Sequence, residues 1–246
     1  MLKDVMNCFN AQANTYDGVA DVQRVAARGL SEKTGAGAFT RGAERILEIG
    51  CGTGLFSEIL VQQFPHASFL LTDIAPNMVE RCRTRFLHCP RVDVQCHDVR
   101  HLDVPHDFDL MASSMTLHWL PDIAQTIRAL LPRLRQTGRF VFSLLGANSL
   151  CEWRAICEQF QLPVGTPLFP TASQLKNHFP EWHITVETHE QRYDHLWAFL
   201  QSLKKLGATA TRPGYAPLSP RQLRSLVRHF HRPMNICYEI IYGSSR

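Results

Sequence analysis

Leu47-Glu48-Ile49-Gly50-Cys51-Gly52-Thr53-Gly54 carries the strongest local signal in this 246-residue chain. The segment Ile46 to Ile49 is apolar apart from Glu48 and reads as a buried strand. Glycines at 50, 52 and 54 follow, a residue type needed where the backbone takes φ > 0 or admits a ligand closely. Leu55, Phe56, Ile59, Leu60 and Phe64 then recur at the spacing of one helix face. Strand, tight glycine turn and helix deliver a ligand to a helix N-terminus, at the carboxyl edge of a parallel sheet.

Working outward, the pattern alternates between strands and helices. Strands are predicted at Ser68–Thr72, ending in Asp73, at Val92–Cys96, ending near Asp98, and at Phe108–Ser113 and Arg139–Leu144. Pro76 opens a helix through Phe86. Asp122 caps a helix with Ile123, Ile127, Leu130, Leu131 and Leu134 on one face, and Gly138 is the expected turn into the fifth strand. Residues 1–44 read as one or two helices, with Val19–Leu30 helical and Gly35-Ala36-Gly37 as a break. After Leu145 the chain turns Pro-rich, with short helical pieces through residue 180 and a strand at Trp182–Arg192. His195–Leu206 reads as a helix with Trp197, Phe199, Leu200, Leu203 and Leu206 spaced for burial and Gly207 closing it. Pro213–Pro220 is a turn-rich connection, Pro220–Phe230 a helix and Ile236–Tyr242 a last strand. The expectation is a single α/β domain: N-terminal helices (1–44), a ligand-binding core (45–145), and an inserted lid with C-terminal strands (146–246).

Composition sets bounds. Hydrophobic content of 45% and charged content of 20% suit a soluble globular protein. No apolar run approaches the ~20 residues that span a bilayer. Met1 to Asn14 has no signal-peptide core, so a cytoplasmic protein without membrane association is expected. The eight cysteines read as small buried hydrophobes of a reducing compartment. A zinc site of Cys89, Cys96 and His97 can be drawn, but it meets no standard ligand spacing, and no metal is expected. The net charge is +4. Arg221, Arg224, Arg228 and Arg232 form either a solvated helix face or a docking patch for an acidic partner. Aromatics do not interleave with them, which disfavours nucleic acid.

Two cofactor classes use a glycine turn of this kind. The dinucleotide fingerprint G-x-G-x-x-G/A fails, because the sixth position is Leu55 or Ser57. No G-x-x-x-x-G-K-S/T loop is present either. The acidic-x-Gly-x-Gly-x-Gly pattern resembles the first motif of class I S-adenosylmethionine-dependent methyltransferases. That resemblance implies a Rossmann-like fold with a seven-stranded, mostly parallel sheet, and S-adenosylmethionine as cofactor. Gly50, Cys51, Gly52 and Gly54 then form the cofactor turn. Glu48, inside an apolar strand end, needs a partner, and the cofactor is cationic. Asp73, followed by Ile74, sits about 20 residues on, where an acid accepts ribose hydroxyls. Asp98 is the expected reader of the adenine amino group with Val99 beside the ring, and Ser114 to Trp119 would line the methionine end.

Four further segments narrow the resemblance. Phe9-Asn10-Ala11-Gln12-Ala13-Asn14-Thr15-Tyr16-Asp17 matches an F-x-x-x-A-x-x-Y-D/E element whose Tyr closes over the cofactor. Ser113 to Trp119 matches S-N-x-x-V/L-Q/H-W, with Ser114 in place of Asn. Ser202-Leu203-Lys204-Lys205-Leu206-Gly207-Ala208-Thr209 matches S-L-K-x-I/L-G-A, and Tyr238 to Gly243 a closing strand. Together they resemble the malonyl-acyl carrier protein O-methyltransferases (BioC) of biotin synthesis. The resemblance implies methylation of the free carboxylate of a malonyl thioester. That group is ionised at pH 7, so no general base is needed. Lys204 is the candidate ligand of the carboxylate, His118 and Trp119 are candidate walls of the acceptor pocket, and Tyr16 is the lid residue. The arginine cluster would meet an acidic acyl carrier protein. Two readings stay open beside this one: methylation of another small-molecule acceptor, and a non-methylating assembly factor on the same fold.

Overall fold

A computed structural model describes residues 2–35, 43–101, 104, 106–212 and 214–245. Two helices precede the sheet, α1 (Leu2–Gln12) and α2 (Asp21–Gly35), joined through a 3-10 turn at Tyr16–Gly18. Strands and helices then alternate: β1 (Arg45–Ile49), α3 (Leu55–Gln63), β2 (Ser68–Asp73), α4 (Pro76–Arg85), β3 (Val92–Cys96), β4 (Phe108–Ser114), α5 (Ile123–Leu130) and β5 (Leu134–Leu145). The C-terminal part adds α6 (Cys151–Gln159), α7 (Ala172–His178), β6 (His183–Tyr193), α8 (Leu196–Leu206), α9 (Pro220–His229) and β7 (Met234–Ser244). Of the expected break at Gly35-Ala36-Gly37, Ala36 and Gly37 lie outside the described residues, as does Pro213 of the expected turn-rich connection.

The seven strands form one sheet in the order β3-β2-β1-β4-β5-β7-β6. β1 to β5 pair in parallel, and β7 runs antiparallel to both β5 and β6. The order reverses between β1 and β4, which opens a crevice at their carboxyl ends, where open α/β sheets take ligands. Strands β1 and β4 are buried almost throughout, as central parallel strands covered on both faces must be. On one face Ile46, Leu110 and Val141 pack under α2 and α3; on the other Leu47, Met111 and Phe142 pack under α5 and α7. Alternation along β1 therefore turns Glu48 toward α3.

Two local expectations give way to packing. The helix expected from Asp122 to Leu134 stops at Leu130, because Pro132 cannot extend it; a 3-10 turn at Leu131–Arg133 hands the chain to β5. Gly138 lies inside that strand rather than before it, beside the register shift opposite Phe108 and Leu110. A Cβ there would come within 2.8 Å of the Phe108 carbonyl oxygen. Trp197 is 41% exposed, since the buried stripe of α8 runs through Leu196, Phe199 and Leu206 and leaves position 197 at its edge.

Candidate active site

The glycine turn folds back over the end of β2. The Gly50 and Cys51 N–H groups both donate to the Thr72 carbonyl, at 2.7 and 2.9 Å. Gly50, Gly52 and Gly54 have φ of 73°, 55° and 92°, which side chains rarely tolerate. A Cβ on Gly50 would meet the Thr116 side chain at 2.2 Å, whereas around a Cβ on Gly52 there is nothing within 4 Å. The turn is thus packed below and open above. Asp73 pins it: Oδ2 accepts from the Gly52 N–H at 2.9 Å and Oδ1 from the Ala75 N–H at 2.8 Å.

A cavity opens over this turn, walled by Glu48, Gly50, Cys51, Gly52, Asp73, Ile74, Asp98, Val99 and Ser114. Gly54 is not in its wall; it caps α3 from behind, against Phe86. Glu48 is 1% exposed, and its one side-chain partner is the Ser57 hydroxyl, which donates to Oε2 at 2.6 Å. Burial pushes its pKa up to about 8. Burial also raises Asp73, against the lowering by the N–H groups it accepts from. Among the described residues no cation pairs with either acid. A buried and a half-buried acid without a cation make a site that a positively charged ligand completes. S-adenosylmethionine, cationic at sulfur and at its amino group, fits that donor set. Asp98 differs: the hydrogen-bonded Arg100 guanidinium, 2.6 Å away, holds its carboxyl below the usual range. Ser114 Oγ lies 3.1 Å from Ser143 Oγ.

A second cavity, about 250 Å³ in volume, adjoins the first. Its walls come from α6 (Trp153), α8 (Leu200, Leu203, Leu206), the 165–169 loop and β7 (Tyr238), with His118 and Trp119 from the segment after β4. The two cavities share Phe9, Tyr16, Gln23, Met115 and Trp119. Tyr16 is therefore at their boundary. Burial and the nearby Asp73 and Asp17 carboxylates push its hydroxyl far above the ordinary range, so it stays a neutral phenol. Trp119 packs edge-on against Phe9, ring centroids 5.5 Å apart. His118 is buried, and burial lowers its pKa to about 3. Its Nδ1 accepts from the Leu145 N–H at 3.4 Å, which leaves the ring hydrogen on Nε2.

The chain is 33% identical to the malonyl-acyl-carrier protein O-methyltransferase of Magnetococcus marinus, over 81% of this chain and 76% of that protein. The chain belongs to the malonyl-acyl carrier protein O-methyltransferase family. It is also 32% identical, over 99% of its length, to the biotin biosynthesis bifunctional protein BioCD of Bordetella avium. It spans about half of that longer protein, 52% of its length. A family model described as a methyltransferase domain matches residues 47–140. The fold is similar to the YcgJ protein of Bacillus subtilis, with a TM-score of 0.62 at 17% identity, covering 89% of this chain and 98% of that one.

The Ser202–Thr209 element places other residues at the cavity than the sequence suggests. Lys204 is exposed and lies outside both cavities. Leu203, Leu206 and Ala208 line the second cavity instead. Gly207, at φ 82°, lets the end of α8 abut α1: a Cβ there would approach the Cys8 carbonyl oxygen to 2.9 Å. Thr15 Oγ1 donates to the Lys205 carbonyl at 2.8 Å. The N-terminal and C-terminal motifs of this methyltransferase family thus meet directly.

Three residues in or beside the site were not assigned from sequence. Asp17 joins the N-terminal turn to the cofactor side, accepting from Thr53 Oγ1 at 2.5 Å and pairing with Arg85 at 2.5 Å. Its motif was legible, its partners were not. Arg85 also reaches Glu58 at 2.9 Å. Gln23 faces the cavity boundary from α2 and belongs to no motif. Arg221, Arg224, Arg228 and Arg232 are exposed on and just after α9. Cys96 and Cys151 are exposed, contrary to the expectation of burial. The metal-ligating side chains that do gather among the described residues are Cys151, Glu152 and Cys237, not Cys89, Cys96 and His97. There the Glu152 carboxylate already accepts from the Cys237 N–H at 3.0 Å. No helix among the described residues is long and apolar enough to cross a membrane.

Proposed function

We propose that this protein methylates the free carboxylate of a malonyl thioester on acyl carrier protein, the ester that opens pimeloyl synthesis in the biotin pathway. The observation that carries this reading is the pair of adjoining cavities: one holds two acids, Glu48 buried and Asp73 half-buried, with no cation paired to them among the described residues, the other is mostly apolar, and they share one wall. Glu48 and Asp73 would hold the cofactor, with Gly50, Cys51 and Gly52 beneath it and Ile74, Asp98, Val99 and Ser114 around it. S-adenosylmethionine would supply a methyl group carried on a sulfonium, to be taken up by a carboxylate oxygen with the S–CH3 electron pair left on sulfur and no proton transferred.

The chain's own task is positioning. A carboxylate needs no base at pH 7, which agrees with a His118 held neutral by burial. Tyr16, His118 and Trp119 shape the acceptor side and exclude water, so that an anion and a cation meet among apolar walls and yield a neutral ester. Residues 146–180 and α8 act as the lid over the acceptor. The arginines of α9 dock the acidic carrier protein, and the enzyme works with that carrier in the cytoplasm.

The test is direct. The purified protein, S-adenosylmethionine and malonyl-acyl carrier protein should give a carrier species heavier by one methyl group, and the gene should restore growth of a biotin-requiring strain lacking this step. Cofactor binding by calorimetry without methyl gain on the malonyl carrier would assign the enzyme another acceptor.

A further inference from the structure

Gln23 breaks the pattern of its own helix. Ala20, just before α2, and Ala27 and Leu30 within it are buried, and position 23 lies on the same stripe. An amide stands where the spacing calls for an apolar residue. Its side chain makes no hydrogen bond to any described residue, and Oε1 is a buried oxygen without a partner. Buried polar groups in native proteins are nearly always satisfied, so such an amide, which presents either its oxygen or its NH2 group by a half-turn, points to a ligand. The location is specific too: Gln23 lines both cavities and is one of five residues they share.

The second cavity has no lysine, arginine, aspartate or glutamate among its described lining residues. Lys204, the cation suggested by sequence, is outside it. A carboxylate entering this cavity meets neutral donors only. We propose that Gln23 is the positioning residue for the acceptor carboxylate, and that the site recognises this anion with a neutral amide rather than a cation. A half-turn of the amide presents its NH2 group to one carboxylate oxygen and leaves the other free to react. A neutral donor suits the chemistry. The acceptor's negative charge is lost on the way to the ester, so a cation would stabilise the reactant more than the transition state and slow transfer. It would also repel the positively charged cofactor held by Glu48 and Asp73.

This assignment rests on the malonyl thioester reading, and the experiment separates the two. Gln23→Met keeps the length and removes the hydrogen bonds; Gln23→Glu keeps the shape and adds a like charge. Both are made in the full chain and compared with wild type by melting temperature, S-adenosylhomocysteine calorimetry, KM for malonyl-acyl carrier protein, and inhibition by the neutral methyl-ester product. Gln23→Met should melt at or above the wild-type temperature, since it removes an unsatisfied buried group. Its KM for the malonyl carrier should rise about ten- to hundredfold, the weight of a hydrogen bond to a charge, with product inhibition and S-adenosylhomocysteine affinity within about twofold. Gln23→Glu should lose more. Unchanged KM in Gln23→Met, or equal loss of affinity for charged and neutral ligands, overturns the assignment. Wild-type protein that transfers no methyl to the malonyl carrier removes the substrate reading and this assignment together.

Discussion

Gly50 and Gly52 share a left-handed backbone and differ in what surrounds them. Gly50→Ala adds strain and drives a methyl into Thr116, so it should cost about 2–4 kcal/mol of stability in urea denaturation. Gly52→Ala carries the strain alone, about 1–2 kcal/mol, but fills the open space over the turn. It should therefore lose more cofactor affinity than stability, a split that denaturation and calorimetry read together. Glu48 makes a pH prediction. Its folded pKa of about 8 lies above the ordinary 4.5, so between those values the folded chain keeps a proton that the unfolded chain has lost. The stability this group provides is complete below pH 4.5 and disappears as pH rises through 8. Without cofactor, Glu48→Gln should be increasingly more stable than wild type from pH 5 to 8. A cationic ligand reverses the preference and draws the proton off. Cofactor binding near pH 7 should release protons, seen as a dependence of the calorimetric heat on buffer ionisation enthalpy, and the variant should lose that dependence. The acids and glycines were legible in sequence because each sits at a fixed offset from a strand end. Gln23 was not, since a single amide on an amphipathic helix reads as a solvent-facing residue.

At the scale of elements, the junction of α8 with α1 carries the family's most specific motif. The sequence draws attention to Lys204, the charged residue; the structure gives the weight to Gly207, Leu203 and Leu206. Gly207→Ala, at φ 82° and 2.9 Å from the Cys8 carbonyl, should push α8 from α1 and cost about 2–3 kcal/mol. Because Phe9 and Tyr16 line both cavities, KM for cofactor and for acceptor should rise together. A variant in which only the acceptor KM moves would mean that α1 is placed independently of α8. Helix limits were readable where a proline or cap decides them, as at Pro76 and Asp122. They were misread at Leu134, where apolar spacing continued past the proline that ended the helix.

Across the whole molecule, the strand order creates one crevice and the chain ends roof it. The turn after β1 and the segment after β4 flank the reversal of order, while α1, α2, α6 and α8 bring in walls of the second cavity. The exposed arginines of α9 give the long-range field its direct test. Arg224→Glu with Arg228→Glu should raise KM for the malonyl carrier by about tenfold at low salt. The gap from wild type should narrow as ionic strength passes the physiological range. Unchanged turnover of the carrier would place docking elsewhere. The strand-turn-helix, the acids at three strand ends and the parallel core could be read from the residues alone, because hydrophobic period and glycine spacing encode them locally. Packing between distant elements sets what lines the second cavity: Gln23 is in its wall and Lys204 is outside it. Which side of a helix becomes a cavity wall depends on how distant elements pack against it, and no local pattern carries that information.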